Sequence, residues 1–152
     1  MLRERLNEEL KKAMLAKDQL ATSTLRLILA ALKDNDIAAR SKGKAEGIGD
    51  DEILSMLQTM IKQRRESIEM YRKGGRDELA QQEADEIEVI ERFLPQQMDD
   101  EEIGEAVRDT IERTGATSLK EMGQVMAALR KEYSGRMDFA LAGRKAKHML
   151  SG

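Results

Sequence analysis

Arg92-Phe93-Leu94-Pro95-Gln96-Gln97-Met98-Asp99-Asp100-Glu101-Glu102 holds the only proline of the chain and separates two long helical patterns. A proline has no amide hydrogen to donate and pushes its predecessor out of the helical region, so the helix running through Ile87, Ile90 and Leu94 should stop there. Asp99 or Asp100 can cap the next helix, with Glu101 and Glu102 in a first turn where the helix dipole favours carboxylates. The chain therefore divides into two expected domains, residues 1–95 and 99–152, able to move about residues 94 to 99.

Working outward in both directions, the apolar spacing is helical throughout and strand signals are absent. Upstream, Leu2, Leu6, Leu10, Ala13 and Met14 mark a first helix, and Asp18 caps a second that carries Leu25, Ile28, Leu29 and Leu32 and ends near Arg40. The glycines and charges of residues 41–49 suggest a mobile loop. Asp50 is expected to cap a third helix with the stripe Ile53, Leu57, Met60, Ile61, Ile68 and Tyr71, ended by Gly74-Gly75, and Asp77 to cap a fourth. The third and fourth helices should form an antiparallel hairpin whose facing residue numbers sum to about 150. Ile61 then meets Ile90, Leu57 meets Leu94 and Tyr71 meets Leu79. Arg64, inside an apolar stripe, falls opposite Glu86, so the two are expected to form a structural pair.

Downstream, Ile103, Val107 and Ile111 line a fifth helix with Gly115 at its C-terminal cap. Ser118-Leu119-Lys120-Glu121 has the capping-box pattern that opens a sixth, with Met122, Val125, Met126 and Leu129 as its stripe. Ser134-Gly135 breaks it. Asp138 caps a seventh, with Phe139, Ala142, Ala146, Met149 and Leu150. The expected fold is all-α: an N-terminal four-helix domain containing a long antiparallel hairpin, then a small three-helix domain.

Composition bounds the chemistry. The chain has 152 residues, 40 % hydrophobic, 36 % charged and 3 % aromatic, with a net charge of −3. No cysteine is present, which excludes disulfides, thiolate nucleophiles and cysteine-based zinc sites. That absence suits a reducing compartment, and without an export signal or a bilayer-crossing run the expected location is cytoplasmic, with no membrane partner. His148 is the lone histidine and has no nucleophile-elbow or phosphate-loop motif to work with, so no catalytic residue, cofactor or metal is expected. The run Asp85, Glu86, Glu88 and Glu91 reads as a solvated face apart from Glu86. Met122, Met126, Met137 and Met149 read as core, with an adaptable docking surface as the other use.

Two basic groupings stand out. Lys62, Arg65, Arg72 and Arg76 share a face along the third helix and its turn, interrupted by Glu69. Residues 99–112 hold seven acids and one base, whereas residues 113–152 hold eight bases and three acids. Arg130, Lys131, Arg136, Arg144, Lys145 and Lys147 are thus candidate phosphate contacts, with ordinary solubilising charge as the plain alternative.

The motifs Leu25-Arg26-Leu27-Ile28 with Ala31-Leu32-Lys33, Lys62-Gln63-Arg64-Arg65-Glu66, Gly75-Arg76-Asp77, Glu86-Ile87, Phe93-Leu94-Pro95-Gln96, Met122-Gly123-Gln124-Val125-Met126 and Gly135-Arg136-Met137-Asp138 together resemble the YqeY-type family. The chain is also similar to the C-terminal helical and tail regions of GatB, a subunit of the glutamine-dependent aspartyl/glutamyl-tRNA amidotransferase. The resemblance covers nearly the whole chain. It implies two helical domains and a link to carbon-nitrogen ligation with glutamine as amide donor, through a tail associated with tRNA binding. Two departures touch that surface: Gln124 stands where relatives often carry lysine, and Phe139 where they often carry glycine. The expected function is a tRNA-binding or amidotransferase-accessory protein without an active site of its own. The alternative is an adaptor that docks an aminoacyl-tRNA synthetase or amidotransferase subunit through the hairpin face and the methionines.

Overall fold

The computed structural model describes residues 1–151, and its regular elements are all helical: α1 (Leu2–Leu15), α2 (Gln19–Ser41), α3 (Asp50–Lys73), α4 (Asp77–Glu91), α5 (Asp100–Thr114), a 3-10 turn (Leu119–Glu121), α6 (Met122–Glu132) and α7 (Phe139–Ser151). The chain divides into two compact units, Met1–Leu94 and a second from Pro95 onward.

In the first unit α3 packs along α4 and α1 along α2, while α2 also lies against α4. Leu6, Leu25, Ile28, Ile53, Leu57, Ile61, Ile90 and Phe93 form its core. Asp18 caps α2, its carboxylate accepting from the Ala21 amide at 3.0 Å. The expected caps Asp50 and Asp77 are instead the first residues of α3 and α4, after Gly49 and Arg76. There they face the positive end of the helix dipole without accepting a capping bond. α4 ends at Glu91, three residues short of Leu94. The Arg92 carbonyl it leaves free accepts from Arg5 Nη2 at 2.7 Å, and the Arg5 guanidinium lies 5.0 Å from the centre of the Phe93 ring.

The connection between α2 and α3 departs from the expected mobile loop. Asp36, buried near the end of α2, receives the Arg3 guanidinium from α1 and the Ile48 amide at 2.9 Å. Arg3 Nη2 also donates to the Ile48 carbonyl at 2.8 Å. Ile48 is thereby buried in the core, so a loop that looked solvated by composition is clasped at its far end.

In the second unit α5, α6 and α7 pack against one another around Ile103, Val107, Val125, Leu129, Met137, Ala142 and Ala146. Asp99 opens α5 with a reciprocal capping box: its carboxylate accepts from the Glu102 amide at 2.8 Å, and Glu102 accepts from the Asp99 amide at 3.1 Å. Gly115 closes the helix in the left-handed region at φ +70°. The Ser118 motif does not start α6 directly. It opens the 3-10 turn, where Glu121 accepts from the Thr117 amide at 3.2 Å, and α6 begins one residue later.

Candidate nucleic-acid interface

α7 buries Ala142, Ala146 and Leu150, a step of four that turns Arg144 and Lys147 to the opposite, exposed side. The helix contains no acid. Asp138 fixes where it starts, its carboxylate accepting from the Ala140 and Leu141 amides at 3.0 and 3.2 Å. α6 buries Val125, Met126 and Leu129, so Arg130 and Lys131 emerge side by side in its exposed last turn. The Arg130 guanidinium lies 5.8 Å from the centre of the Phe139 ring, which places it at the junction of α6 and α7.

The other two candidates in this unit are engaged. Lys145 Nζ is 3.1 Å from Asp100 Oδ2, which joins α7 to the acidic first turn of α5. Its aliphatic stem runs beside Gly104 of α5. Arg136 holds the segment before α5 in place: its carbonyl accepts from the Met98 amide at 2.9 Å, and its Nε donates to the Gln96 carbonyl at 3.3 Å. Gln97 Nε2 adds a bond of 2.6 Å to the Gly135 carbonyl. Sequence counting pooled all six cations because it weighs charge without seeing partners. Geometry separates the four that face water, Arg130, Lys131, Arg144 and Lys147, from two that carry structure.

Acids near this surface are neutralised or turned away. Glu132, next to Lys131, is 2.8 Å from Arg113, which also reaches Asp109 at 3.0 Å. Hydrogen bonding to Arg113 lowers the Glu132 carboxyl below its ordinary value and raises the guanidinium. α5 turns Ile103, Ala106, Val107 and Thr110 inward, leaving Glu101, Glu105 and Asp109 exposed on its other side. Gln124 and His148 are both exposed.

The methionines serve mainly as core. Met126 and Met137 are buried, and Met122 and Met149 pack against the same cluster.

Along α3, the second basic grouping is mixed with acids. Arg65 and Arg72 line a groove with Ile68 and Glu69, opposite Ala84, Ile87, Glu88 and Glu91 of α4. Arg65 lies 3.9 Å from Glu91, and Lys62 and Arg76 are exposed. Deeper in the hairpin, Arg64 Nε donates to Glu86 at 2.8 Å with Glu83 at 3.7 Å, all three side chains less than a quarter exposed. Burial raises the Glu83 carboxyl and the Glu86 charge raises it further, while Arg64 opposes both.

The model of the Yqey-like protein family matches residues 3–150. The chain belongs to the YqeY family. Among curated relatives of this YqeY protein, "Altered inheritance of mitochondria protein 41, mitochondrial" of Lachancea thermotolerans is 38 % identical over 60 % of the chain and 46 % of its own length. The protein of the same name in Eremothecium gossypii is 40 % identical over 59 % of the chain and 46 % of its own length. That of Vanderwaltozyma polyspora is 31 % identical over 77 % of the chain and 64 % of its own length. The YqeY chain thus spans about half to two thirds of the length of the relatives it matches. Their names correct the cytoplasmic expectation. Lack of cysteine is equally compatible with a mitochondrial compartment, so composition had no power to choose between the two. No helix among the described residues is long and apolar enough to cross a membrane.

Proposed function

We propose that this YqeY-family chain is an accessory RNA-binding protein, whose α6–α7 surface docks tRNA through phosphate contacts and shape. The observation that carries the reading is the exposure of Arg130, Lys131, Arg144 and Lys147, with no ion pair among the described residues, around an acid-free helix in a chain of net charge −3. Four cations outside any ion pair can release counterions from a polyanion at little cost, because no internal salt bridge has to break. The resemblance to the GatB tail supports a link to glutamine-dependent tRNA amidation, in which this chain supplies binding. The burial of Met126 and Met137 removes part of the surface that an adaptor for a synthetase or amidotransferase subunit would have used. We also propose that the two units are separable domains, a four-helix unit containing the α3–α4 hairpin and a three-helix unit.

The test is a titration of tRNA at two salt concentrations with wild type and Arg144→Glu/Lys147→Glu. Binding should weaken with a log-log slope of roughly 0.7 to 0.9 per phosphate neutralised, and the reversal should weaken every tRNA alike. Binding that ignores the reversal, or none at low salt, rejects this interface.

A further inference from the structure

The outward side of α2 has features that an ordinary solvated helix face lacks. The helix buries Ala21, Leu25, Ile28, Leu32 and Ala39 in the first unit, yet Leu20, Leu27 and Ile37 on its other side are 37 %, 48 % and 54 % exposed. In a seven-residue repeat, Leu20, Leu27, Asp34 and Ser41 form one row and Ser23, Ala30 and Ile37 the next, the two rows that make a coiled-coil seam. Ser23 and Ala30 are small enough for a second helix to come close. Arg26, Lys33 and Arg40 recur at the same step along one border of the seam. All three are exposed, and none makes an ion pair among the described residues. Of the two acids of α2, Asp36 is buried against Arg3 and Asp34 lies in the seam itself.

We propose that this face docks one amphipathic helix of a partner protein, with an apolar seam, an acidic flanking row against Arg26, Lys33 and Arg40, and one basic residue opposite Asp34. Flanking charges choose the partner in such pairings, and a single polar residue within the seam fixes register. A second copy of this chain fits poorly in either direction. Antiparallel, the basic row would meet its own twin, and parallel, it would meet Thr24, Ala31 and Ala38, which carry no charge. RNA would engage the bases and leave the leucines uncovered. A lipid surface would take the apolar row but bury Asp34.

The probe is a fluorescein-labelled synthetic helix with leucines along its seam, one central seam lysine and glutamates on both flanks. Its control has lysine flanks and a central seam glutamate. Titrated with the full chain and followed by anisotropy, the glutamate helix should bind wild type. Binding should fall about tenfold or more in Arg26→Glu/Lys33→Glu/Arg40→Glu, and that variant should instead take the lysine-flanked control. Leu27→Glu, a single exposed change that leaves the basic row intact, should also abolish binding, with circular dichroism showing both variants folded. Equal binding of the two helices, or equal binding to wild type and the reversed chain, would overturn the proposal. So would no binding of the glutamate helix, whether or not phosphatidylglycerol vesicles or tRNA then bind through the same residues. A dimer in sedimentation that Leu27→Glu dissociates would assign the face to a second copy.

Discussion

Asp36 ties three parts of the first unit together, because its carboxylate takes the Arg3 guanidinium from α1 and the Ile48 amide from beyond α2. Hydrogen bonding to Arg3 holds it below the usual carboxylate range, against the opposing effect of burial. Asp36→Asn keeps the shape but removes the charge, and the Arg3 side chain is only one-third exposed. We expect a loss of about 2 to 3 kcal/mol, discounted from a fully buried pair. A lowered folded pKa means this stability is present above the unfolded value of about 4 and is lost as pH falls through the folded value. Urea melts should therefore separate wild type from Asp36→Asn at pH 7 and bring them together in strong acid; a separation that widens on acidification would refute the assignment. The Arg64–Glu86 pair behaves differently, since replacing both charges is less harmful than stranding one. Arg64→Met should cost about 3 kcal/mol, and Arg64→Met/Glu86→Leu should recover much of it, with Glu83 left partly exposed to meet solvent. Additive losses in thermal melts would show that the charges do not stabilise one another. Arg64 and Glu86 could be read from sequence because each interrupts an apolar stripe at positions the hairpin brings together. Asp36 interrupts the run Ile28, Leu32 and Ala39 in the same way, but its partners are a side chain on another helix and a loop amide. No periodicity points to those.

At the level of elements, boundaries were legible wherever a side chain or a left-handed glycine fixes them, as at Asp18, Asp99, Gly115 and Asp138. They were not legible where an acid could serve either as cap or as first residue, since Asp50 and Asp77 gain from the helix dipole in both positions. The α2–α3 connection shows a further limit, because glycine composition alone does not distinguish a solvated loop from a clasped one. Gly43 and Gly47 both have positive φ, at +95° and +84°. A Cβ at Gly43 would meet nothing within 4 Å, whereas one at Gly47 would collide with the Asp36 carboxylate. Gly43→Ala should lose about 1 kcal/mol from backbone strain, and Gly47→Ala at least about 1 kcal/mol more because it displaces the Asp36 carboxylate. Hydrogen exchange at the Ile48 amide should accelerate in Gly47→Ala and not in Gly43→Ala; equal effects would mean the clasp does not hold the loop.

For the whole molecule, the unit from Pro95 onward has its own core, and its linker residues Gln96 to Met98 bond back to Arg136 and Gly135 within that unit. Counting charges brought out the polarity of the C-terminal part but not which of its cations were already engaged. A fragment of residues 95–152 should therefore give a helical spectrum and a cooperative melt, with a low midpoint because so short a chain buries a small share of its surface. The fragment carries nine bases against ten acids, so any affinity for tRNA must come from how they are arranged and not from net charge. If α6 and α7 make the phosphate contacts, the folded fragment should bind tRNA within a few-fold of the full chain and residues 1–94 should not. A folded fragment that leaves tRNA binding with residues 1–94 would move the interface to the first unit, where the exposed row Arg26, Lys33 and Arg40 and the groove beside Arg65 and Arg72 carry basic side chains.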